Sequence, residues 1–203
     1  MKKVCIINTE SGNQRSVYNA IKDLNYSIKI SNDKKDLEES THLILPGVGA
    51  YKNLMSKINK QKLIEVLFDQ IIIKKKPFLG ICVGMQILSS FGYEFEESRG
   101  LNYIKGKVMK LGTKSLRLPH VGWNNLKIKK NSDLFDGLED ETYFYFVHSY
   151  VFEVENDKDI LSVTNYDQDF VSSVQKENIF GVQFHPEKSQ KSGLLILKNF
   201  INL

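Results

Sequence analysis

One short stretch, Gly80-Ile81-Cys82-Val83-Gly84, restricts this 203-residue chain more than any other. The apolar run over 77–81 reads as a buried strand, and the apolar spacing over 83–91 reads as a helix. A strand that turns straight into a helix around a cysteine has the G-x-S-x-G form of a nucleophile elbow, with Cys in the serine position. Glycines on both flanks permit a sharp, strained turn without Cβ clashes. Such a turn projects the Cys82 thiol from the carboxyl edge of a sheet.

The surrounding pattern supplies that sheet. Residues 4–7 read as a buried strand, followed by a turn at Glu10-Ser11-Gly12-Asn13 and a helix over 14–24 with Val17, Ala20, Ile21 and Leu24 on one face. Strands follow over 27–30 and 42–45, the second stopped by Pro46-Gly47, and then an amphipathic helix over 58–75. Alternating strands and helices predict a doubly wound parallel arrangement. From Tyr103 the texture changes to short strands over 107–111, 125–128, 143–147, 160–165, 170–175 and 179–183, closed by a helix over 189–202. The expected fold is therefore α/β: an open, mainly parallel twisted sheet flanked by helices, with antiparallel additions in the C-terminal half. The length suits one such domain over 1–203 better than two.

Composition narrows the function classes. The 28 basic residues face 24 acidic ones, for a net charge of +4. Lysines are scattered, with Lys74-Lys75-Lys76 the longest run, so a solvated surface fits better than a nucleic-acid stripe. Neither Cys5 nor Cys82 sits in a CxxC pair, which argues against a disulfide framework or a Cys-based zinc site. The apolar run after Met1-Lys2-Lys3 is too short for a signal-peptide core or a membrane span. A cytoplasmic protein with reduced thiols is expected.

Three segments carry chemistry. At Cys82, the following helix points its N-terminus at the sulfur and favours thiolate. A free thiol, with a pKa of about 8.5, is only slightly ionised near neutrality, so that dipole and a nearby histidine both count. Cys5, inside an apolar strand with no glycine beside it, reads as core packing. The second segment is Gly181-Val182-Gln183-Phe184-His185-Pro186-Glu187-Lys188, where a strand ends at His185 and Glu187 follows a rigid proline. A base that accepts the cysteine proton needs a third group to orient it, and Glu187 is near enough in sequence to do so. The third is Leu45-Pro46-Gly47-Val48-Gly49-Ala50, whose glycine-rich backbone can turn N–H groups inward as an oxyanion hole with the N–H of Val83. No Gly-Lys-Ser/Thr follows it, which argues against a phosphate loop. His42, His120 and His148 show no metal-ligand spacing, so no metal is expected.

Together, Gly80-x-Cys82-x-Gly84-x-Gln86 and His185-Pro186-Glu187 resemble the triad, or class I, glutamine amidotransferases. Within that family, Pro119-His120-Val121-Gly122-Trp123-Asn124, Tyr145-Phe146-Val147-His148-Ser149-Tyr150 and His185-Pro186-Glu187-Lys188-Ser189 are similar to the glutaminase subunit of imidazole glycerol phosphate synthase. The resemblance covers nearly the whole chain. It implies a catalytic triad of Cys82, His185 and Glu187, an oxyanion hole at Val48 and Val83, and glutamine binding by Gly47, Gly49, Gln86, His148, Ser149 and Tyr150. It further implies a heterodimer with a cyclase subunit, met through Asn13, Arg15, Trp123 and Lys188, and L-glutamine as substrate. No cofactor, nucleic acid or membrane is implied. One segment departs from the family: the first loop reads Asn8-Thr9-Glu10-Ser11-Gly12-Asn13 where an Asp-Tyr pair is usual. Because that loop points toward the expected partner face, a paralogous subunit supplying ammonia for amidation of a bacterial surface sugar stays open as a reading; separately, so does a catalytically idle regulatory binding protein. A peptidase or glyoxalase-type relative would share the elbow but does not call for the His185-Pro186-Glu187 and 119–124 segments together.

Overall fold

A computed structural model describes residues 2–10, 13–24 and 26–203; Ser11 and Gly12, half of the expected first turn, lie outside the described residues. The first half runs β1 (Lys3–Ile7), α1 (Gln14–Ile21), β2 (Ser27–Ser31), α2 (Lys34–Glu39), β3 (His42–Gly47), α3 (Tyr51–Lys60), α4 (Ile64–Phe68), β4 (Phe78–Cys82) and α5 (Val83–Gln86). The second half adds β5 (Phe91–Gly92), β6 (Ser98–Arg99), β7 (Gly106–Lys110), β8 (His120–Asn125), β9 (Lys127–Ile128), β10 (Tyr143–His148) and β11 (Tyr150–Val154). It closes with β12 (Ile160–Tyr166), β13 (Gln168–Lys176), β14 (Ile179–Val182) and α6 (Gln190–Asn202).

The main sheet has the order β2-β1-β3-β4-β14-β13-β12-β9. It is parallel from β2 to β14 and antiparallel from there outward, which is the α/β architecture expected. β3, β4 and β14 are buried at every residue, as parallel strands covered on both faces must be. α1 contributes Val17 and Ile21 to that cover, and α6 contributes Ile196, Leu197, Phe200 and Ile201. Two smaller sheets, β10-β8 and β11-β7-β5-β6, stand beside it.

Several boundaries differ from the sequence reading, each for a physical reason. Pro46 and Gly47 do not stop β3; they pair with Ile81 and Cys82 of β4. Leu43 N–H donates to Pro77 O, so odd-numbered residues of β3 bond toward β4 and even-numbered ones face β1. The ladder with β1 ends at Ile44, so Pro46 removes no sheet bond. The helix expected over 58–75 begins earlier, at Tyr51, and is broken at Gln61-Lys62. There Lys62 adopts φ +55, its N–H donates to Asn59 O, and Leu63 N–H donates to Ile58 O. This is a Schellman termination with lysine in the glycine position, which is why no glycine announces it. A wider helical turn over Asp69–Ile73 ends the segment.

The helix expected over 83–91 closes after one turn. The carbonyls of Ile87, Leu88, Ser89 and Ser90 are claimed by N–H groups of 100–104 instead of continuing the helix. α2, β5, β6, β8 and β11 are additions to the elements expected. β8 contains Gly122 at φ +139, a conformation closed to most side chains and unmarked by any period-two alternation.

The exposed Lys62 tests the break between α3 and α4. Lys62→Val is expected to cost about 1–2 kcal/mol, because a β-branched residue is strained in the left-handed region. Lys62→Gly is expected to cost nothing; urea unfolding of both variants checks the pair.

Candidate active site

β4 delivers Cys82 to the carboxyl end of the sheet, where it caps α5 at φ +55 and ψ −111. That geometry depends on backbone meeting backbone. A Cβ on Gly84 would stand 1.9 Å from Leu45 O, and one on Gly80 would stand 2.4 Å from Gly84 O. One on Gly47 would lie 2.7 Å from the nitrogen of Gly84. β3, β4 and α5 therefore close on each other only because all three positions lack a side chain. Since α5 is a single turn, it offers the sulfur free N–H groups rather than the field of a long helix.

The second segment is anchored from another direction. β14 ends at Val182, one residue earlier than expected: Gln183 N–H still donates to Ser172 O of β13 at 2.9 Å, and the backbone then turns toward β10, where His185 N–H donates to Tyr145 O at 2.8 Å. Ser189 Oγ donates to His185 O at 2.7 Å and accepts from Tyr145 N–H at 3.0 Å, tying the same strand to the same turn. Pro186 opens a single 3-10 turn, Pro186–Lys188, that brings Glu187 back beside the ring. Gly193 lets α6 press on this turn, since a Cβ there would meet Pro186 O at 1.9 Å.

His185 Nδ1 lies 2.8 Å from Glu187 Oε1, so the ring donates from Nδ1. Nε2, without a hydrogen-bond partner among the described residues, is left for the cysteine. Asn13 Nδ2 donates to the same Oε1 at 2.8 Å. Burial by itself would strip the proton from His185, but the Cys82 sulfur and the Glu187 carboxylate outweigh it and raise the imidazole to about 10. Burial likewise opposes the Glu187 charge, yet the bonds from His185 and Asn13 lower its carboxyl below the ordinary value. The arrangement holds a proton on the ring beside a buried sulfur, the condition for a nucleophile–acid pair.

Cys82 and His185 share the wall of a cleft of about 570 Å³, lined also by Val48, Gly49, Val83, Gln86, Glu94, His148, Ser149 and Tyr150. The structure thus brings together the residues expected for the oxyanion and the substrate, with Gly47 just behind the wall. The two loop glycines do different jobs: Gly49 holds φ +86 in open space, whereas Gly47 serves the close packing on Gly84. The Gln86 amide is spent on protein, donating to Tyr150 O at 2.9 Å and to Gln183 Oε1 at 3.0 Å. Sequence reasoning passes over Gln183, fully buried, whose Nε2 donates to Cys82 Sγ at 3.6 Å. It also misses Glu94, the one carboxylate on the cleft wall among the described residues, which accepts from Tyr51 N–H at 2.8 Å. Gln183 lies two residues before His185, inside the segment that carries the base; nothing around Glu94 marks it.

The residues assigned to a partner face separate. Asn13 is buried behind the triad, whereas Arg15 is exposed and lies over the Tyr18 ring. Trp123 packs edge-on to Tyr145, and Lys188 lies over the same Tyr145 ring at 5.7 Å. Val121, Trp123 and Tyr143, exposed to 54%, 46% and 58%, form an apolar face on β8 and β10. Among the described residues no three His, Cys, Asp or Glu side chains are grouped to hold a metal ion, and no helix is long and apolar enough to cross a membrane.

Comparison with known proteins gives a family match over residues 5–203, to the model described as "Glutamine amidotransferase class-I". The chain is 43% identical to imidazole glycerol phosphate synthase subunit HisH of Pelagibacter ubique, covering 98% of this chain and 99% of the relative. It is 42% identical to the HisH subunit of Aquifex aeolicus, covering 98% and 95%. Among solved structures, PurLQS from Thermotoga maritima superposes with a TM-score of 0.78 at 19% identity, covering 100% of this chain and 99% of that one. A crystal structure titled glutamine amidotransferase gives 0.75 at 18%, covering 98% and 97%. At these identities the structures speak for the fold.

The electrostatics of the triad has a measurable sign. His185 titrates near 6.5 when unfolded and near 10 when native, so its contribution to stability is complete below pH 6.5 and is lost as pH rises through 10. Glu187 works the other way: its contribution stands above the ordinary value of 4.5 and is lost as pH falls through its lowered native value. Nitrogen-15 NMR should find the His185 ring still protonated at about pH 8, and Cys82→Ala should lower its midpoint by at least about one unit. A neutral wild-type ring at that pH contradicts the account.

Proposed function

The chain belongs to the class I glutamine amidotransferases, and on that premise we propose that it is the glutaminase subunit of imidazole glycerol phosphate synthase, which hydrolyses L-glutamine and delivers the ammonia to a cyclase subunit in histidine biosynthesis. The observation that carries this reading is the buried His185–Glu187 pair, 2.8 Å apart, sharing one cleft with the strained Cys82. Residues 1–203 are read as one amidotransferase domain, working in the cytoplasm.

The geometry leads to a two-stage hydrolysis. The Cys82 thiolate attacks the γ-amide carbon of glutamine, and the carbonyl oxygen takes up negative charge toward the N–H groups of Val48 and Val83. His185, holding a proton on Nε2, passes it to the amide nitrogen as the C–N bond breaks. Ammonia leaves, and a γ-glutamyl thioester remains on Cys82. His185 then takes a proton from water as its oxygen attacks the thioester, and glutamate departs with the thiolate restored. Glu187, steadied by Asn13, keeps the ring's Nδ1–H occupied, so that Nε2 serves both stages. Glu94 supplies the negative charge in the cleft that suits the α-ammonium of glutamine, while Gln86, His148, Ser149 and Tyr150 form the wall for the rest of it.

The apolar face of Val121, Trp123 and Tyr143, with Lys188 beside it, supports docking of the cyclase near the same cleft. An exposed pair of a tryptophan and a tyrosine has the aromatic enrichment of a protein interface. Val48, on the lip of the cleft beside Gly49, stands where docking can turn its peptide N–H toward the oxyanion.

Two outcomes test the reading. In the complex with the cyclase, Cys82→Ala should abolish glutamine-dependent synthesis and leave ammonia-dependent synthesis nearly intact; His185→Ala should match that loss, with Glu187→Gln clearly milder. Collapse of the ammonia-driven rate in a folded Cys82→Ala complex contradicts the assignment. The free chain should hydrolyse glutamine slowly, and the cyclase with its acceptor should raise the rate by roughly 10²–10³, the worth of one oxyanion donor. A free chain already at the full rate would sink the oxyanion switch.

A further inference from the structure

β8 and β10 turn one face outward and one inward. The outward face carries Val121, Trp123 and Tyr143; the inward face carries His120, Asn124 and His148. The inward residues form an unbroken line of hydrogen bonds. His148 Nδ1 lies 3.1 Å from Tyr150 O, His120 Nδ1 lies 3.0 Å from His148 Nε2, and Asn124 Nδ2 lies 3.3 Å from His120 Nε2.

One tautomer of each ring satisfies all three contacts. A carbonyl only accepts, so His148 donates from Nδ1 and must accept at Nε2. His120 therefore donates from Nδ1 and accepts at Nε2 from the Asn124 amide, which also donates to Asn165 O at 2.9 Å. A proton added to either ring would turn an acceptor into a donor and break the line. Burial holds both rings neutral, down to about 4 for His120 and, with the neighbouring His120 adding to it, about 3 for His148. His120 stacks on Tyr166 at 4.0 Å and on Phe146 at 5.0 Å, which fixes its plane.

The line ends at the substrate wall. Tyr150 O, which accepts from His148, accepts also from Gln86 Nε2 at 2.9 Å, and Gln86, His148 and Tyr150 all line the glutamine cleft. His120 touches neither the cleft nor the reacting atoms, yet it supplies the bond that sets the rotation of His148. Its strand neighbours on the opposite face are the residues read as the docking surface.

Resting on the glutaminase reading, we propose that His120 is a positioning residue: it acts through His148 to hold the Tyr150 carbonyl and Gln86 in the orientation that binds glutamine, and so ties the docking face of β8 and β10 to the substrate wall. The His185–Glu187 pair is served by other bonds, from Asn13 and the Pro186–Lys188 turn, and Cys82 meets the line only at second hand, through Gln183, which accepts from Gln86. Loss of His120 therefore weakens the capture of glutamine and spares the chemistry on Cys82.

The test uses the full chain and a diazoketone analogue of glutamine, 6-diazo-5-oxo-L-norleucine, whose alkylation of Cys82 separates binding from reaction. His120→Phe keeps an aromatic ring between Tyr166 and Phe146 and removes the donor. Intact-mass kinetics should show the half-saturating concentration raised about tenfold, the scale of one broken buried hydrogen bond, with the maximal labelling rate within about threefold of wild type. Alkylation by iodoacetamide, which needs no substrate wall, should be unchanged. His120→Asn, whose amide nitrogen falls where Nδ1 stands, restores a donor and should recover most of the binding, a rescue that a merely structural role does not predict. His120→Leu, which likewise removes the donor, provides the same comparison should His120→Phe not fold. Wild-type binding in a folded His120→Phe overturns the proposal and leaves the glutaminase reading standing. A wild-type chain that the analogue does not label in a glutamine-protected manner overturns the glutaminase reading itself.

Discussion

Where α5 leaves β4, three stretches of backbone approach more closely than any side chain allows. Gly84 sits against Leu45 O, Gly80 against Gly84 O and Gly47 against Gly84 N, each at a distance that a Cβ would occupy. The strain at Cys82, a non-glycine residue at φ +55, persists because this contact over-determines it. The direction of the thiol, the place of the Val48 loop and the depth of the cleft all follow from it. The glycines on β3 and on β4 are thus one device rather than two motifs.

Opposite the elbow, the chain contrasts two kinds of buried histidine. His185 has a carboxylate on one nitrogen and a sulfur near the other, and their charges overcome the penalty of burial. His120 and His148 have only neutral partners, and burial wins, leaving both far below the ordinary histidine value. The first arrangement keeps its ring protonated near neutrality; the second keeps both of its rings neutral.

Much of the site is legible in the amino-acid sequence. The elbow, the His185-Pro186-Glu187 turn and the glycine loop are local: each is written in adjacent residues whose backbone demands are known. The strand over 4–7 is equally plain, because burial on both faces leaves an apolar run. What escapes a local reading is non-local in origin. The break at Lys62 uses a lysine where glycine is usual, and the early end of α5 follows from carbonyls captured by 100–104. The extension of β3 through Pro46 depends on where β1 stops.

By itself, the sequence determined the α/β class and the placement of Cys82 and His185 where their strands end, because strand-to-helix turns and proline-stiffened turns are dictated over a few residues. Only the tertiary structure decided that Asn13 is buried against Glu187 and not on the surface, that Gln183 reaches the sulfur, that Glu94 enters the cleft, and that His120 and His148 form one line with Asn124. These partners lie far apart along the chain, Asn13 and Glu187 by 174 positions and Gln183 and Cys82 by 101. A polar side chain's role is set by whichever group packing places within hydrogen-bond reach, and no local pattern encodes that distance.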